Sequence, residues 1–152
     1  MEMKGEYTIS APRDAVWAAL NNTEILKAAI PGCDSIIRLS ETEIEATVTA
    51  KVGPVKASFK GLVTLSDLDP PNGYTIRGEG KGGVAGFAKG GAKVRLTEAA
   101  EGTVLRYEVD ASVGGKLAQI GGRLVDSTAK KLADEFFTAF SKLAAESIGP
   151  TA

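Results

Sequence analysis

A chain of 152 residues, 43% apolar and 24% charged, can bury a core of its own and has the composition of a soluble single domain. A formal net charge of −1 excludes the basic footprint of a nucleic-acid binder, and the absence of histidine removes the commonest metal ligand and the commonest general base near neutral pH. No apolar run reaches the roughly 18 residues of a membrane span, Met1 to Ser10 has no signal-like apolar core, and the single Cys33 has no disulfide partner, so a cytoplasmic location is expected.

Glu6 to Ser10 reads as a strand. Pro12 then opens a helix that runs through Leu20, and Thr23 is placed to cap a second short helix, Glu24 to Ala29, which stops at Pro31-Gly32. Alternating strands follow. Ile44, Ala46, Val48, Ala50 and Val52 share one face; Val55, Ala57, Phe59, Gly61, Val63 and Leu65 repeat the pattern. So do Tyr74, Ile76, Gly78 and Gly80, then Ala88, Gly90, Ala92, Val94 and Leu96, then Leu105, Tyr107, Val109, Ala111 and Val113. The turns fall at Val52-Gly53-Pro54, at Asp69 to Gly73 and at Glu101-Gly102. Period two with one apolar face predicts an antiparallel sheet covered on one side.

A single long helix is predicted from about Lys116 to Ala145, with Leu117, Ile120, Leu124, Thr128, Leu132, Phe136, Phe140 and Leu143 on one stripe. The order of elements predicts an α+β helix-grip fold: a curved antiparallel sheet wrapped around a long C-terminal helix, with two short helices after the first strand. One domain is expected over residues 1–148, with a short tail at 149–152.

Between Gly78 and Gly91 the chain reads GEGKGGVAGFAKGG, seven glycines in fourteen residues. Such a segment serves either a mobile, twisted hairpin or a loop that leaves room for a ligand. Its G-x-G-x-x-G match opens no helix, so it is no phosphate site. Small residues recur on the inward face, among them Ala46, Ala50, Ala57, Gly61, Gly78, Gly80, Ala88, Gly90, Ala92 and Ala111, and Gly121-Gly122 lies one turn into the helix. Either the layers approach closely or an apolar cavity remains near the helix start. Charges such as Arg77, Glu79, Lys93, Arg95, Arg106, Glu108 and Asp110 fall on the outward phase. No metal-ligand or nucleophile constellation is found, and Cys33 reads as a structural thiol.

These residues carry a resemblance. Gly5-Glu6, Ala11-Pro12, Val16-Trp17, Leu20-Asn21, Ile30-Pro31-Gly32-Cys33, Lys51 to Val55, Phe59-Lys60-Gly61, Gly78 to Gly90, Val113 to Gln119 and Ala129-Lys130-Lys131 occur in the order expected for the CoxG family, named for the G subunit of carbon monoxide dehydrogenase. That family lies within the START-like, Bet v 1-like (SRPBCC) superfamily. The resemblance implies an accessory protein of a molybdenum-containing hydroxylase of carbon monoxide dehydrogenase type. It also implies a lipophilic quinone held by the protein, and recruitment of the enzyme to the inner face of the cytoplasmic membrane. Many members carry a linker and anchoring tail after the long helix. This sequence stops at Ala152, so transient rather than stable membrane contact is expected.

Together these readings predict a non-enzymatic carrier, with no catalytic residue, no metal and no covalently bound cofactor. An apolar small molecule, quinone or lipid-like, is expected between sheet and helix. Phe59, Tyr74, Gly78, Gly80, Phe87, Tyr107, Leu117, Ile120, Gly121 and Leu124 are the candidate lining. Ile30, Pro31, Gly32, Val84 and Phe87 are the candidate rim or partner contact, with Lys81 and Lys89 flanking Phe87. Plain core is an equal reading for the aromatic members. The alternatives are a ligand-free assembly or maturation adaptor for the hydroxylase and a superfamily enzyme such as a cyclase, for which only Tyr74, Tyr107, Thr128 and Gln119 offer inward polar groups.

Overall fold

A computed structural model describes residues 1–147; the tail expected at 149–152 lies outside the described residues. The chain runs β1 (Glu2–Ile9), α1 (Arg13–Leu20), α2 (Thr23–Ala29), β2 (Cys33–Arg38), β3 (Glu43–Val52), β4 (Val55–Asp69), β5 (Gly73–Lys81), β6 (Phe87–Ala99), β7 (Gly102–Gly114), α3 (Lys116–Gln119) and α4 (Gly122–Glu146). A 3-10 turn, Gly83–Ala85, forms the tip between β5 and β6. Seven strands make one antiparallel sheet in the order β1-β7-β6-β5-β4-β3-β2. The sheet curves about α4, with α1 and α2 after the first strand: the helix-grip architecture.

Register carries the inward face across the sheet. Val48 stands opposite Phe59, Gly61 opposite Gly80, Gly78 opposite Gly90, and Val94 opposite Tyr107. Charged residues occupy the other phase, as their alternation in sequence predicts.

Packing concentrates at one end. Ile9, Val16, Leu20, Leu65, Val94, Leu96, Leu105, Tyr107, Phe137, Phe140 and Ala144 are buried together. Tyr7, Phe137 and Tyr107 stack face to face, with centroids 4.5 and 5.0 Å apart, and Phe136 and Phe140 extend the cluster. The buried Thr103 hydroxyl donates to the Ala11 carbonyl at 2.7 Å, tying the start of β7 to the chain ahead of α1.

Four local expectations are corrected. The single helix from Lys116 is two: Gly121, at φ +92°, interrupts it and starts α4. A left-handed residue cannot continue a right-handed helix, and glycine enters that region without a Cβ penalty. The cap of α2 is Asn22, whose side-chain oxygen accepts from the Glu24 and Ile25 amides, and Thr23 is the first helical residue. The first strand begins earlier than expected, at Glu2. Finally, β2 is an additional edge strand; its pairing with β3 is broken by a bulge between Cys33 and Ser35, which hides the alternation.

Candidate functional site

The inward face divides in two. At the packed end it is closed by large side chains. Toward the β3–β4 and β5–β6 tips it is made of Ala46, Ala50, Gly61, Gly78, Gly80, Ala88, Gly90, Ala92 and Ala111, all only half-buried. No residue of α4 from Gly122 to Leu132 is buried; its buried members are Phe137, Phe140 and Ala144. The first half of the helix reaches the sheet at the β3–β4 tip but buries none of its own residues there. Small residues on the sheet beside a helix half that buries none of its own are the pattern expected where an apolar cleft remains. In the small-residue half of this face the inward positions carry no charged side chain.

Most of the expected lining residues lie in this half of the fold. Phe59 points inward from β4, with its ring against Gly82. Gly78 and Gly80 form the floor; a Cβ at Gly80 would meet only Phe59 Cβ, at 3.9 Å. Leu117 is buried where α3 packs on β7 and the 3-10 turn. Ile120 and Leu124 reach the β3–β4 tip, where a Cβ on Gly53 would lie 2.6 Å from Leu124 Cδ2. Gly121 has open space around it.

Two expected wall residues belong to the packed end instead. Tyr74 is buried at the edge of Trp17, with ring centroids 5.2 Å apart. Tyr107 lies over Gly5 within the aromatic stack. Phe87 is a third departure. Its neighbour Ala88 takes the inward phase, so Phe87 lies on the outer phase, its ring over Gly114, and is 38% exposed.

Among the rim residues, Val84 stands on the 3-10 tip and is 85% exposed. Ile30 to Gly32 sit against β3: the Gly32 carbonyl accepts from the Thr49 amide at 2.9 Å, and a side chain at Gly32 would strike the Thr49 carbonyl. Cys33 is half-buried, and burial pushes its thiol pKa upward. Sequence reasoning placed Gly53 in a turn and Lys81 beside Phe87, but missed that Gly53 meets Leu124 and that Lys51, Lys56 and Lys60 stand at the same end, because that juxtaposition requires separate turns to meet. It also missed Phe137, which lies one position off the stripe expected for the helix.

Polar chemistry at the packed end centres on tyrosine. The Tyr7 hydroxyl donates to Asp134 Oδ1 beside a hollow of about 420 Å³ that also touches Tyr107 and Lys130. Burial, then the bond to Asp134, raises the Tyr7 hydroxyl above its usual range. Burial alone raises Tyr74, against an opposing pull from Arg38. A raised pKa means that the folded state holds the proton more tightly than the unfolded chain does. Their contribution is complete below about pH 10 and is lost as the pH climbs above it. Denaturant midpoints measured from pH 8 to 11 should therefore fall on the alkaline side, and Tyr74→Phe should flatten that fall.

A second concavity lies on the opposite face of the sheet. This outer trough, about 1530 Å³, is lined by both acids and bases, including Glu43, Glu45, Arg77, Glu79, Lys93 and Asp110. Among the described residues no group of three or more histidine, cysteine or acidic side chains could hold a metal, and no helix is long and apolar enough to cross a membrane.

The sequence model of CoxG, the G subunit of carbon monoxide dehydrogenase, matches residues 5–145. The chain belongs to the CoxG family. Among solved structures it is similar to a conserved protein from Geobacillus kaustophilus, 30% identical over 97% of both chains, with a TM-score of 0.90. A Thermus thermophilus protein shares the fold at 14% identity and a TM-score of 0.71, with 98% of this chain and 99% of that one covered. The Zhui aromatase/cyclase of a Streptomyces species does so at 12% identity and 0.69, with 100% and 98% covered. The last two likenesses show the fold alone, which serves more than one chemistry. No curated protein matches the chain.

Proposed function

We propose that this CoxG-family protein is a non-catalytic accessory of a molybdenum hydroxylase of carbon monoxide dehydrogenase type. It binds an apolar molecule, quinone or lipid-like, in the cleft between sheet and α4, and links the enzyme to the membrane through that ligand. The observation that supports this reading is an uncharged, small-residue inner face beneath a helix half that buries no residue. Such a face gains by covering its apolar surface, and it offers no acid or base to act on what it holds. Phe59 supplies a flat aromatic face at the cleft wall, suited to a quinone ring.

The test is native mass spectrometry of the purified protein, followed by solvent extraction. An added mass that extracts as a quinone or lipid is the expected result. A bare mass that stays bare after incubation with a quinone overturns the carrier reading. It would favour the second reading, a ligand-free adaptor, for which the charged outer trough supplies a protein-sized surface; capture of the hydroxylase would then depend on that face.

A further inference from the structure

We propose that β1 is a self-pairing edge, through which two copies of this chain join their sheets into one. The pairing is independent of what the cleft holds. β1 and β2 are the two edges of the sheet, and they differ. β2 is six residues long and interrupted by a bulge between Cys33 and Ser35, an irregularity that blunts an edge. β1 is regular over eight residues, Glu2–Ile9, with no bulge and no proline. α4 meets it through Tyr7, which stacks on Phe137 and bonds Asp134. Among the described residues no backbone hydrogen bond reaches Glu2 to Thr8 from any element other than β7.

The pairing with β7 fixes which groups are free. Met1 and Ala111 exchange both backbone bonds, at 2.8 and 2.9 Å. Antiparallel pairs alternate between bonded and non-bonded positions, so Met3, Gly5 and Tyr7 bond β7 in the same way. The N–H and C=O groups of Glu2, Lys4, Glu6 and Thr8 therefore point to the open edge. A second β1 that docks antiparallel must set even positions opposite even positions.

Charge then chooses the register. With Gly5 opposite Gly5 on a twofold axis, Lys4 of each copy faces Glu6 of the other, Met3 faces Tyr7 and Glu2 faces Thr8. Opposite charges and sulfur–aromatic neighbours both stabilise such a pair of strands. One allowed step to either side sets Lys4 opposite Lys4 or Glu6 opposite Glu6, which is destabilising. Within its own chain Lys4 faces Glu108, and Glu6 bonds Arg106 at 3.0 Å; the dimer adds a second partner to each. A hollow of about 420 Å³ beside this edge, bounded by Lys130 and Asp134 of α4, leaves room on the inner side for the incoming Met3 and Tyr7. A single strand edge offers less than the roughly 800 Å² per partner of a stable interface, so the dimer is a reversible one.

The experiment is sedimentation equilibrium of the parent chain from about 1 μM to about 1 mM, with amide hydrogen exchange at both ends of that range. A monomer–dimer equilibrium is expected. In the dimer the Lys4, Glu6 and Thr8 amides should become protected, while those of Met3, Gly5 and Tyr7 are protected at every concentration. Lys4→Glu and Glu6→Lys should each weaken the dimer by about ten-fold or more, because each puts two like-charged pairs in place of two opposite ones. Mixing these two variants should restore the parent affinity as a heterodimer. Lys142→Glu, an exposed position on α4 with the same charge change as Lys4→Glu, should leave the dimer unchanged. Lys4→Pro should abolish it and spare the β1–β7 ladder, because the N–H it removes points to the open edge. A chain that is monomeric over the whole range, a dimer whose Lys4, Glu6 and Thr8 amides stay fast, or a mixture no tighter than its two components would overturn the proposal. Protection of the same amides by the hydroxylase in a chain that stays monomeric would also overturn it, by assigning the edge to the enzyme. The parent's exchange pattern decides even where a variant fails to fold.

Discussion

Gly80→Leu is expected to weaken retention of the proposed apolar ligand while leaving the fold intact. The position faces the cleft from β5, opposite Gly61 and Ala88, and a Cβ there meets a single ordinary contact at 3.9 Å. A leucine would extend into the space assigned to the ligand. Forcing extra carbons into an occupied site costs about 1–3 kcal/mol, so affinity for a quinone such as decylubiquinone should fall by roughly 5- to 150-fold. The melting temperature should hold or rise, because glycine weakens a strand interior and leucine does not. The two readouts separate a cleft from close-packed layers. If sheet and helix met in solution, the same leucine would be overpacked and would destabilise the protein by about 1–3 kcal/mol. The position matters: leucine at Gly121 would be strained by its φ of +92°, so it would test the backbone rather than the space.

Phe140→Ala should cause the largest loss of stability, about 3–5 kcal/mol, lowering the melting temperature by on the order of 10 °C. Phe140 is 0% exposed, stacks on Phe136 at 5.5 Å and sits where α4 meets the packed end. Its removal opens a cavity that rigid neighbours cannot close. Leu124→Ala, on the same helix but 39% exposed, should cost within about 1 kcal/mol. Chemical denaturation of the two variants checks the contrast. Similar losses would mean that the first half of α4 also carries the fold, and the open cleft would have to be abandoned.

Much of this arrangement is legible in the chain. Alternation from Ile44 to Val113 determines the strands and which face turns inward, because side chains on a strand alternate by geometry. The stripe ending at Phe140 and Leu143 determines a helix packed on that face. Small residues at Gly61, Gly78, Gly80 and Ala92 mark where the interior is shallow, and the order of motifs places the chain in its family. Periodicity does not report where a helix breaks. Gly121 could have been absorbed into a continuous helix at modest cost, and only the crossing from β7 to α4 puts it at positive φ. Nor does alternation separate Phe59, which faces the cleft, from Tyr107, which closes the core: both are inward aromatics on strands. Their difference lies in what α4 brings to each, Phe137 at Tyr107 and nothing buried near Phe59.

The same division holds where the hairpin tips meet the helix start. Sequence alone determined that Lys51, Lys56, Lys60 and Lys81 are exposed on an outward phase. That two hairpin tips and a helix start converge was decided by the tertiary structure, through the register that sets lysine opposite lysine and the curvature that draws Gly53 to Leu124. Local pattern records which face a residue shows, whereas proximity between distant turns depends on the twist and closure of the whole sheet.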